Sequence, residues 1–73
     1  MARLPQAALD AARARAWRAT QLLRADVKAA RRDAKRLEMH KRALRDLTDR
    51  TWHAEKTEDW SRVILLLDAM RIA

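Results

Sequence analysis

Residues 6–47 read QAALDAARARAWRATQLLRADVKAARRDAKRLEMHKRALRDL, with no proline, glycine, asparagine or serine anywhere in the run. Apolar residues return at every seventh position: Leu9, Ala16, Leu23, Ala30, Leu37 and Leu44. Thr20, Val27 and Ala34 each follow four residues after a member of that series and widen the stripe. Such spacing lays one apolar stripe along an α-helix. In the same register stand Arg13 at one end and Lys41 at the other, so the stripe is strongest from residue 16 to 37. Alternating Leu with Ala suits close helix contact, because Ala lets backbones approach and Leu fills the holes between. A single rod of this length would span about 63 Å, and it could not bury its own stripe.

The stripe therefore predicts an all-α protein: a long basic amphipathic helix or helical hairpin over residues 5–47, with a partner helix packed on it. Pro5 suits a first helical turn, where its missing N–H leaves no bond unmade. An internal joint within residues 26–36 would give a compact three-helix arrangement. It has no Gly or Pro to form it, which favours a homodimer as the cover for the stripe. Residues 48–57, TDRTWHAEKT, break the pattern with three threonines and are the expected main joint. Thr57 reads as an N-cap, with Glu58 and Asp59 in the first turn where the helix dipole favours negative charge. A short apolar helix over residues 58–71 follows, with Trp60, Val63, Ile64, Leu66, Leu67, Met70 and Ile72 as its buried set. Trp60, Ile64 and Leu67 should face the first helix. The whole is expected to be one small domain.

Composition closes off other classes. The 73 residues include sixteen Ala, ten Leu and thirteen Arg, and no Cys or Gly. Without Cys there is neither a disulfide framework nor a thiolate metal site. Without Gly, phosphate-cradling loops and tight hairpins lack the residue they need. The histidines, His40 and His53, have no metal-type neighbour at i+3 or i+4, so neither a metal nor a cofactor is expected. The lone serine, Ser61, sits beside no plausible base, and Glu58–Asp59 look like a dipole-complementing pair. No catalytic constellation is present, and an enzyme is not expected. The longest apolar run, Val63 to Leu67, is far short of the roughly 20 residues of a membrane span. The N-terminus lacks the apolar run of a signal peptide, which leaves the cytoplasm as the expected location.

Charge carries the functional reading. The net charge is +7, and it is uneven: residues 1–47 hold 13 Lys and Arg against 5 Asp and Glu, residues 48–73 hold 4 against 5. At 100° per residue, Arg24, Lys28, Arg31, Arg32 and Lys35 fall on one flank of the stripe, with Arg13 and Arg42 on the same side. Few acids lie in pairing register with them; Glu38 with Arg42, and Asp46 with Arg50 or Arg42, pair further along. The reading is a one-sided cationic ridge that follows an anionic macromolecule. Set against it is the plain alternative of a solvated, Arg-rich helix face. Trp17 lies on the basic flank and is a candidate anchor that could stack on a base, unless the C-terminal helix folds back and covers it, which is the expectation. Trp52 and Trp60 are expected in the core, Met39 and Met70 as gap-fillers in the core or at its edge.

The expected function is a non-enzymatic basic binding protein whose ridge (Arg24, Lys28, Arg31, Arg32, Lys35, Arg42) docks on nucleic acid through phosphates, with weak sequence preference. The alternative is a small regulator or inhibitor, of the kind phages and mobile elements encode, that binds a protein of host nucleic-acid machinery such as RNA polymerase or a CRISPR effector. A helix-turn-helix is weakly supported, because no short turn interrupts the basic region. A membrane-surface role is not expected, because the apolar face is shallow and Ala-rich.

Overall fold

A computed structural model describes residues 4–73 and shows three helices: α1 (Gln6–Ala29), α2 (Ala34–Thr57) and α3 (Ser61–Ala69). No strand occurs among the described residues. The basic region is a hairpin, α1 against α2, and α3 packs on both.

Asp33 breaks the rod. Its backbone is extended (φ −117°, ψ 99°) and its Oδ1 accepts the Arg36 N–H at 3.1 Å, which caps α2. On the other side of the joint, the Ala30 N–H closes α1 on the Asp26 carbonyl, and the Asp33 N–H donates to the Ala30 carbonyl. A carboxylate that satisfies a helix-starting N–H does here what a glycine turn does elsewhere. Within the chain, α2 and α3 cover the stripe that a second copy was expected to cover.

The joint expected at residues 48–57 does not exist, since that segment is the second half of α2. Its threonines stay helical because their hydroxyls are satisfied inside the helix. Thr48 Oγ1 donates to the Leu44 carbonyl, Thr51 Oγ1 to Leu47 and Thr57 Oγ1 to His53, at 2.7–2.9 Å. Thr57 is thus the last residue of α2, not the cap of α3. α3 starts from Trp60, which makes no side-chain cap bond, and one residue before it Asp59 accepts the Ser61 N–H at 3.1 Å and the Ser61 hydroxyl at 2.7 Å. Those two bonds, the hydroxyl first, hold the Asp59 carboxyl below its ordinary 3.8. The last helix is correspondingly shorter than the expected 58–71. With no glycine in the chain, left-handed backbone falls to Glu58 (φ 61°), which ends α2, and Arg71 (φ 57°), which follows α3. After Arg71, the Ile72 N–H closes back on the Leu67 carbonyl at 3.0 Å.

The core joins Ala12, Ala16, Ala19 and Leu23 of α1 to Leu47 and Ala54 of α2, and to Trp60, Val63 and Leu67. The α1 contribution is mostly alanine, so the helices meet closely and the larger side chains come from the other elements. Ala12 and Ala19 sit three residues after Leu9 and Ala16. The stripe therefore alternates in steps of three and four, rather than widening by four as Thr20 and Val27 suggested. The next members of the three-step series are Asp26 and Asp33, and there the stripe yields to the turn. Trp60 is buried as expected, with the Arg13 guanidinium 5.6 Å above its ring. Among the described residues its indole N–H has no acceptor. Ile64 and Met70 pack at the edge of the core, whereas Trp52 and Met39, expected to be buried or at the edge, are exposed.

Arginines fasten α3 to one face of the hairpin. Arg15 donates to the Asp68 carboxylate and the Ile72 carbonyl, both at 2.6 Å, and Arg18 donates to the Ala73 carbonyl at 3.1 Å. Arg50 bonds Asp46 and the Arg62 carbonyl, each at 2.9 Å. The opposite face of the hairpin is left open. The molecule measures 43 × 18 × 17 Å, with the α1–α2 turn at one end.

Candidate functional site

On the open face, near the turn, a groove of about 410 Å³ runs between α1 and α2. Val27 and Leu37 line it with the cations Arg24, Lys28, Arg31 and Lys41, and no carboxylate takes part. The helical step explains Arg24 and Lys28, four residues apart on α1, and Arg31 stands on the turn just past the end of that helix. The antiparallel return of α2 supplies Lys41. Around the turn itself, Lys28, Ala29, Arg31 and Arg32 form a second concavity.

The six predicted ridge residues are thus divided. Arg24, Lys28 and Arg31 come together, and Arg32 stands beside them on the turn. Lys35 and Arg42 lie elsewhere, in a groove of about 560 Å³ between α2 and α3. There Glu38 and Asp46 intervene, with Met39, Ala43, Leu66 and Met70 as apolar lining. The reason is geometric: projection at 100° per residue holds only within one helix. Once Asp33 turns the chain back, residues of equal azimuth on α1 and α2 no longer share a flank.

Lys41 is a site residue that the sequence reading missed, since it appeared there as an interruption of the stripe. Only the hairpin register, which sets it opposite Arg24 and Lys28, reveals its place. Among the described residues none of Arg24, Lys28, Arg31, Arg32, Lys35, Lys41, Arg42 and Arg45 enters an ion pair. The paired arginines are those that hold the fold: Arg13 with Asp10 and Glu55, Arg15 with Asp68, Arg36 with Asp33 and Arg50 with Asp46. Residues 24–42 carry eight Lys and Arg against three Asp and Glu, so the net +7 is concentrated at the turn end.

Trp17 is not covered by α3; it is 65% exposed on the flank that continues through Arg24 and Lys28. No cluster of three or more His, Cys, Asp and Glu among the described residues could hold a metal ion. No described helix is long and apolar enough to cross a membrane. No protein-family model, curated protein or solved structure matches the chain.

Proposed function

We propose that this is a non-enzymatic binding protein that docks the open face of its hairpin on nucleic acid, through phosphates and with weak sequence preference. The groove of Arg24, Lys28, Arg31 and Lys41 carries the reading. Four exposed cations, two on α1, one on the turn and one on α2, converge on one depression, and among the described residues none is neutralised by a carboxylate. Fixed like charges so close together oppose folding, and a polyanion relieves that repulsion. Arg32 extends the same field around the turn. A cytoplasmic setting goes with this reading.

The test is the salt dependence of binding to mixed-sequence nucleic acid, followed by fluorescence anisotropy. Four phosphate contacts should give a slope of log affinity against log salt of about −3 to −4. Arg24→Ala, Lys28→Ala, Arg31→Ala and Lys41→Ala should each reduce its magnitude by about one, whatever the sequence. Full affinity retained in the quadruple variant would refute the proposal.

A second reading, a regulator that binds a protein of nucleic-acid machinery, draws on the α2–α3 groove, where Met39, Leu66 and Met70 lie between charges of both signs. Protein interfaces concentrate their energy in a few anchors. Under that reading Met39→Ala or Arg42→Ala alone should abolish capture of the partner, while the four groove cations should be dispensable.

A further inference from the structure

The open face holds more than cations. Trp17 is 65% exposed and Trp52 is 55% exposed, unusual for the largest apolar side chain in a chain whose third tryptophan is fully buried. The Arg13–Glu55 ion pair, Nε to Oε1 at 3.3 Å, fixes how α1 and α2 are aligned at this point. Trp17 stands four residues beyond Arg13 and Trp52 three residues before Glu55, so each lies about one turn, roughly 4.5–6 Å, closer to the hairpin turn than that pair. Both are on the flank of their helix that the ion pair marks, so the two indoles sit at one level on one face. From there Arg24 and Lys28 continue along α1 to Arg31 on the turn, and Arg45 and Lys41 continue along α2. The helical part of the strip, from Trp17 to Lys28, is about 17 Å long.

Trp52 is oriented by its neighbours. The Lys56 ammonium lies 3.9 Å from its ring centroid and the His53 ring meets it edge-on at 5.1 Å. At the end of the strip away from the turn, the carboxylates of Asp10 and Glu55 are engaged by Arg13.

Resting on the nucleic-acid reading above, we infer that the partner is single-stranded: Trp17 and Trp52 form a stacking platform for unpaired bases, and the groove at the turn takes the phosphates that follow. Duplex bases are already stacked on one another and present only their edges, so an exposed indole gains nothing from them. A single strand offers each indole a base face, and base–aromatic stacking tolerates any sequence. Cations without aromatics would serve either form. It is the pairing of two exposed indoles with a cationic groove on one face that selects the single strand.

The test compares a labelled mixed-sequence single strand, in its deoxy and ribo forms, with the duplex of the same sequence. The single strand should bind more tightly than the duplex and quench tryptophan fluorescence, with the buried Trp60 left as the residual signal. Trp17→Ala and Trp52→Ala should each weaken single-strand binding by about 5- to 100-fold and leave duplex binding unchanged. Trp17→Phe and Trp52→Phe should restore most of the loss, which separates stacking from any structural role of the indoles. Equal binding of strand and duplex, insensitive to both Trp→Ala variants, would overturn this inference and leave the phosphate-directed reading standing. Absence of binding to every probe at low salt would overturn both.

Discussion

Replacing Leu67 by alanine tests whether α3 is part of the core or an appendage. Leu67 is 0% exposed and belongs to the central cluster, whereas Leu65, two residues earlier on the same helix, is 66% exposed. Truncating Leu67 withdraws three carbons from a filled site, about 2.4 kcal/mol at 0.8 per methylene. The void that remains raises the cost to about 2.7–5 kcal/mol. A chain of this size has total stability of about 4–11 kcal/mol, so the substitution removes a large share of it. The melting temperature, followed by far-ultraviolet circular dichroism, should fall by at least about 10 °C. Leu65→Ala changes the same chemistry at an exposed site and should stay within about 0.5 kcal/mol of the parent. Equal melts for the two variants, or a Leu67→Ala protein melting within a few degrees of the parent, would refute the packing of α3 described here.

Asp33→Ala removes the cap that turns the rod into a hairpin and should cost about 1 kcal/mol in urea unfolding; no change would mean that the turn forms without it. Arg71→Gly relieves a left-handed backbone position at φ 57° and should raise stability by up to about 1 kcal/mol, read as a higher melting temperature. The Asp59 carboxyl is held below its ordinary 3.8 by the Ser61 hydroxyl and N–H. Its contribution is therefore complete above that value and is lost as pH falls through the lowered one. Asp59→Asn should lose less stability than the parent on acidification below 3.8, and equal losses would count against a stabilising role of the two Ser61 bonds.

The helical class and the burial of Trp60 and Leu67 were legible because periodicity and residue type agree there. The joints were harder to read, since both depend on side-chain hydrogen bonds that composition does not display. At Asp33 a carboxylate makes a turn that seemed to need glycine. At Thr48, Thr51 and Thr57 the hydroxyls bond back along α2 and keep helical a segment that propensity marks as a break. The candidate cationic site was half visible: Arg24 and Lys28 follow from helical spacing and Arg31 stands just past the end of α1, but Lys41 and Trp52 join them only through the return of the chain. Lys35 and Arg42 leave the group for the same reason. Nothing local in the sequence distinguishes Trp52, which is exposed, from Trp60, which is buried: Trp52 stands on the open face of α2, whereas Trp60 follows the end of α2 and enters the core at the start of α3.

The placement of charge along the 43 Å axis has a kinetic consequence. The eight cations and three acids of residues 24–42 crowd one end, while nine cations and seven acids occupy the remainder. The two ends are separated by several screening lengths at physiological salt, where that length is about 8 Å. If the proposed function holds, a polyanion would meet a molecule with a head and a tail, and torque would act on it before contact. Encounters would then begin turn-end first, so fewer collisions would be wasted on the α3 side. Added salt shortens the range of that torque, and association then slows as orientation is left to random tumbling.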